Sequence, residues 1–144
     1  MRTLLSCILL TLPLAAKELP PRLARKTAAS AFLASLDDAK RAKASFAFAD
    51  AERENWHFVP QDRAGLSMKE MNDAQRNAAV ALVTSALSEE GALKAAQIIT
   101  LETVLAEIEK RPEFRDAEKY YLCVFGDPGD EAGWGWRFEG HHLS

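Results

Sequence analysis

The stretch that decides the fold is Tyr120-Tyr121-Leu122-Cys123-Val124-Phe125-Gly126-Asp127-Pro128-Gly129-Asp130, followed closely by Trp134-Gly135-Trp136-Arg137-Phe138-Glu139. Tyr120 to Phe125 is apolar at consecutive positions, so it reads as a strand buried on both faces. Gly126 to Asp130 carries the Gly, Asp and Pro chemistry of a turn. Beyond it, Trp134, Trp136 and Phe138 alternate with Gly135, Arg137 and Glu139, the period-two pattern of a strand with one aromatic and one polar face. Two such strands across one turn predict an antiparallel C-terminal hairpin, with its aromatic face against helices.

Upstream, the pattern is helical. Arg22 to Lys43 is rich in Ala, Leu, Lys and Arg, and Ala28, Phe32 and Leu36 form a stripe, which predicts one long N-terminal helix. Ser67 to Glu70 fits a capping box opening a helix with Met71, Ala78, Ala79, Leu82, Ala86 and Leu87 on one face. Ser88, followed by Glu89 and Glu90, starts a second helix, with Leu93, Gln97, Leu101, Val104, Leu105 and Ile108 on one face. Pro112 ends it. A short link between these two predicts an antiparallel pair sharing a core. Between Phe46-Ala47-Phe48, a short strand start, and Ser67, the run Arg53 to Leu66 reads as an extended piece leading into a turn, and His57 as a loop histidine. The fold class is therefore α+β.

The chain has 144 residues, 48% hydrophobic and 27% charged, which suits one globular domain. A formal charge of -3 lacks the basic footprint of a nucleic-acid binder. Residues 1–16 read as a signal peptide: Arg2 gives the positive start, Leu4 to Leu14 the apolar run, and Ala15-Ala16 the cleavage site. The run is too short to span a membrane, so the expectation is export, periplasmic or extracellular, with no stable span in the mature chain. Cleavage near Ala16 removes Cys7 and leaves Cys123, a small buried hydrophobe without an internal disulfide partner. Residues 17–144 then form a single domain.

The densest polar constellation is C-terminal. A strand continuing past Phe138 would set Arg137, Glu139 and His141 on one face and His142 on the other. Glu139, His141 and His142 are metal-ligating residue types, which leaves a divalent metal open as cofactor, and Arg137 presents a fork for a carboxylate or phosphate. Asp127, Asp130 and Glu131 add oxygen ligands in the turn, but short of a calcium loop. No HExxH helix, CxxC pair, GxSxG elbow or phosphate loop is present.

Trp56 to Leu66 (Trp-His-Phe-Val-Pro-Gln-Asp-Arg-Ala-Gly-Leu), Glu70 to Arg76, Leu87 to Gly91, Tyr121 to Asp127 and above all Trp134 to Ser144 (Trp-Gly-Trp-Arg-Phe-Glu-Gly-His-His-Leu-Ser) together resemble the domain of unknown function 3500 family. The resemblance spans roughly residues 25 to 144. It implies an exported bacterial protein and carries over no catalytic residue. It also implies a longer protein of which this chain is the N-terminal half, stopping within a strand that lacks partners for its backbone. Three readings of function follow: a non-catalytic binding or interaction protein of unknown ligand, a metal-assisted hydrolase-like enzyme using Arg137, Glu139, His141 and His142, or a truncated, inactive fragment. Partner and ligand are not encoded in any motif.

Overall fold

The computed structural model describes residues 20–144. The leader expected at 1–16, with Cys7, lies outside the described residues. The architecture of the described residues is α+β, with four α-helices and a small mixed sheet among them.

The expected long N-terminal helix is two helices. α1 runs Pro21–Ala34 with proline in its first turn, where a missing N–H costs nothing, and α2 runs Asp38–Ala44. The break is chemical. The Ser35 hydroxyl donates to the Phe32 carbonyl at 2.6 Å, and the Asp37 carboxylate accepts the Lys40 N–H at 2.9 Å, so Asp37 caps a new helix. α2 leads directly into β1 (Ser45–Phe46).

β3 (Tyr121–Phe125) is the central strand. β4 (Gly135–Glu139) pairs antiparallel with its whole length, and Leu122 faces Phe138. The other edge of β3 is shared: β1 pairs parallel at Val124 and Phe125, and β2 (Leu66–Ser67) antiparallel at Leu122 and Tyr121. The expected hairpin is present, but it sits in a mixed sheet, because two short strands from far upstream fill the second edge.

All five residues of β3 are buried, as their unbroken apolarity implies. On one face, Leu122 and Val124 pack with Ala29 and Phe32 of α1, Leu36 in the link after it, Ala79 and Leu82 of α3 (Asp73–Thr84), and the half-buried Trp134, Trp136 and Phe138. Each large side chain buried there contributes about 1.5–3 kcal/mol. On the other face lie Tyr121, Cys123 and Phe125 with Arg137 and Glu139, covered not by helices but by the 51–65 segment. That segment opens with a single 3-10 turn, Ala51–Glu54, and otherwise has no regular structure until β2. It enters the sheet at Gly65, where φ is 101° and a Cβ would stand 2.6 Å from Cys123 Sγ, so only glycine fits.

Ser67 caps a 3-10 turn, Met68–Glu70, rather than the helix itself. α3 starts later with its own capping box, in which the Asn72 side chain accepts the Gln75 N–H and the Gln75 side chain accepts the Asn72 N–H. α4 (Glu89–Glu109) is capped by Ser88 as expected. Its orientation corrects the stripe assignment. Leu93, Leu101, Val104 and Ile108 are 45–70% exposed, and the residues it buries are Ala95 and Glu102. α3 packs chiefly on α1 and shares only a thin contact with α4. No helix among the described residues is long and apolar enough to cross a membrane.

Candidate functional site

The structure separates the four residues that the sequence grouped. Arg137 and Glu139, two positions apart on β4, do share a face, and the Arg137 Nε lies 2.9 Å from Glu139 Oε1. This contact is an ion pair and not a hydrogen bond, because neither atom has an aligned partner. The remaining partners come from the 51–65 segment. Arg137 Nη2 donates to Glu52 Oε1 at 2.6 Å and its Nη1 to the Glu52 carbonyl. Glu139 Oε2 accepts the His57 N–H at 3.0 Å and stands 3.4 Å from Arg63 Nε.

Arg63 completes the set, and no motif announced it. Its guanidinium donates to the carbonyls of His57 at 3.0 Å, Val59 at 2.6 Å, Gln61 at 2.7 Å and Gly140 at 3.1 Å. One side chain thus holds a whole irregular loop to the end of β4 and supplies the hydrogen bonds that secondary structure would otherwise make. The Arg63 and Glu139 side chains are 2% and 1% exposed. Two carboxylates and two guanidiniums balance, as buried charges must. Burial pushes the Glu52 carboxyl up, but hydrogen bonds from Asn55 and Arg137 and the Arg137 charge outweigh it, leaving Glu52 below the usual carboxylate range. Burial pushes the Cys123 thiol, under this cluster, up to about 12.

His141 goes elsewhere. β4 ends at Glu139, and the chain turns, so the alternation that would have aligned His141 with Glu139 stops. Its Nδ1 meets the buried carboxylate of Glu102 on α4. Arg115 Nη1 lies 3.1 and 3.3 Å from the two ring nitrogens, which places it over the ring rather than in its plane. Arg115 is itself gripped by Glu109 through two 2.9 Å bonds. The Tyr120 hydroxyl donates to the His141 carbonyl at 2.9 Å. His142 is exposed, with φ of 57° and its ring centroid 3.9 Å from that of His141.

Between Arg63, Lys119 and His141 the free space is about 30 Å³, room for a water molecule or two. Asp127 and Asp130 accept the N–H groups of Gly129 and Ala132 at 2.7 and 2.9 Å, so these oxygens build their own turn. Among the described residues, no group of three or more His, Cys, Asp or Glu side chains is placed to hold a metal ion. His57 is exposed and contacts Asn55.

A different feature has the size of a binding site. Between α3 and α4 opens a cleft of about 230 Å³. Val80, Val83 and Leu87 form one wall, Ala92, Ala95, Ala96 and Ile99 the other, and Tyr120 and Phe138 line it from the sheet side. Three alanines on α4 leave the room that larger side chains would fill. At the rim, Arg76 pairs with Glu118.

A family model described as Protein of unknown function (DUF3500) matches residues 22–144. No curated protein and no solved structure matches the chain.

Proposed function

The chain belongs to the DUF3500 family of proteins of unknown function, and from the apolar cleft between α3 and α4 we propose that it is a non-catalytic binding domain for an apolar group. The carrying observation is a cleft of about 230 Å³ with almost no polar lining. An engineered apolar cavity of about 150 Å³ accommodates benzene. The space here suits a single aromatic ring with a short substituent, or a branched aliphatic side chain of a partner. Arg137, Glu139 and His141 serve in this reading as latches. The first two hold the 51–65 segment on the sheet, and His141 holds α4. Each of their charges is answered by another protein charge, and the space between Arg63, Lys119 and His141 is too small for a substrate. The leader makes export the matching proposal for localisation, tested by the intact mass of the chain in each cell fraction.

The test is titration of the protein with indole, followed by amide chemical shifts. Shifts confined to residues lining the cleft are expected, and they should vanish in Ala96→Trp, which fills the cleft from an exposed position and spares the core. Indole shifts scattered over the surface, or persisting in Ala96→Trp, would defeat the proposal.

A further inference from the structure

The cleft between α3 and α4 is apolar along its walls but carries charge at one end. Arg76, Val80 and Val83 follow one another on the same face of α3, about 10 Å from first to last at the helical rise, and Leu87 stands beyond them in the link to α4. The cleft therefore runs from a charged end at Arg76 to an apolar end at Leu87.

Four polar side chains line it: Arg76, Thr84, Glu118 and Tyr120. Two of them are engaged by the backbone. The Thr84 hydroxyl donates to the Val80 carbonyl at 2.8 Å, and the Tyr120 hydroxyl to the His141 carbonyl at 2.9 Å. The other two keep bonding capacity. Arg76 Nη1 donates to Glu118 Oε1, and among the described residues neither Arg76 Nη2 nor the second Glu118 oxygen makes a hydrogen bond. Arg76 Nε is buried without a hydrogen-bond partner. A guanidinium carries its N–H donors in one plane, so a whole edge of Arg76 is unanswered by the protein. The two side chains are 32% and 45% exposed, so a ligand in the mouth of the cleft can reach both.

This rim carries no excess charge. Lys69, whose N–H donates to the Glu118 carbonyl, has its ammonium held by Asp116 at 2.7 Å. A purely anionic head group would meet Arg76 but face Glu118, and a purely cationic one would meet Glu118 but face Arg76. A head with both charges close together meets both. The resulting square of alternating charges is the networked arrangement in which exposed ion pairs contribute most. An α-amino acid has such a head, with ammonium and carboxylate on one carbon. Its side chain leaves that same carbon, free to enter the apolar part of the cleft.

We propose that the cleft binds a free α-amino acid with an aromatic or branched aliphatic side chain. Its carboxylate lies on Arg76, its ammonium on Glu118, and its side chain against Val80, Val83 and Ile99. This inference rests on the apolar reading of the cleft and adds the head group to it.

The experiment uses the full chain and four ligands that share one ring system: indole, indole-3-propionate, tryptamine and tryptophan. Each is titrated while amide shifts are followed by NMR. Tryptophan should bind about tenfold more tightly than either singly charged analogue. Arg76→Met and Glu118→Gln remove one charge each from an exposed pair, which contributes little to folding. Arg76→Met should weaken tryptophan about tenfold and strengthen tryptamine, and Glu118→Gln should weaken tryptophan as much and strengthen indole-3-propionate. Indole, which has no head group, should bind all three proteins alike. The inference is overturned, with the apolar reading intact, if indole shifts the cleft residues but tryptophan binds no more tightly than the analogues, or if neither substitution changes the order of the ligands. If indole and tryptophan both leave the cleft unshifted, the apolar reading falls and this one with it.

Discussion

Replacing Glu139 by glutamine leaves the shape of the side chain and removes only its charge. The amide oxygen can still accept the His57 N–H, now at 3.0 Å from the carboxylate. What changes is that Arg63, with its side chain 2% exposed, loses its carboxylate partner, while Arg137, 9% exposed, keeps Glu52. Breaking a buried ion pair from one side costs about 3–5 kcal/mol, because the stranded charge stays desolvated. Arg63 also retains four carbonyl acceptors, which places the expected loss near the low end, about 3 kcal/mol. A domain of this size has about 5–15 kcal/mol in all. The melting temperature should therefore fall by about 10 °C. The assay is urea unfolding of Glu139→Gln, Arg63→Met and the double variant. Each single variant should lose about 3 kcal/mol, and the double variant at least 1 kcal/mol less than their sum, since the second change removes the charge that the first one stranded. A loss under about 1 kcal/mol in Glu139→Gln, or strict additivity, would refute the idea that this network holds the 51–65 segment.

Gly140→Ala would set a Cβ 2.4 Å from the buried Tyr120 ring, and the ring cannot give way while its hydroxyl donates to the His141 carbonyl, so a loss of about 2 kcal/mol or more is expected by calorimetry. Cys123 should resist thiol reagents in the native state at neutral pH and react only as fast as the protein opens, because burial holds its thiol near 12; rapid stoichiometric labelling would contradict the structure. Glu52 lies below its unfolded value, so its contribution is present above the ordinary carboxylate range and disappears as pH falls through the folded value. Stability should hold from neutrality to about pH 5 and decline toward about pH 3, less steeply in Glu52→Gln, measured by urea midpoints.

Wherever local pattern and burial coincide, the sequence determined the outcome. Tyr121 to Phe125 became the buried central strand because an unbroken apolar run has no face to offer water, and the Trp134, Trp136 and Phe138 alternation gave the half-buried partner strand. Ser88 likewise acted locally, its hydroxyl accepting the Gly91 N–H to open α4. Tertiary structure decided what depends on residues distant in sequence. Arg63 and Glu52 meet β4 across more than seventy positions, and an isolated arginine in an irregular run has no periodicity to betray it. Glu102 carries no mark that distinguishes it from a solvent-facing helix glutamate, and only the turn after Glu139 brings His141 to it. The same turn split the His141 and His142 pair from Arg137 and Glu139, because strand alternation holds only while the strand continues. The apolar stripe of α4 faces outward for the related reason that a helical period shows that one face is apolar, not which neighbour lies beside it.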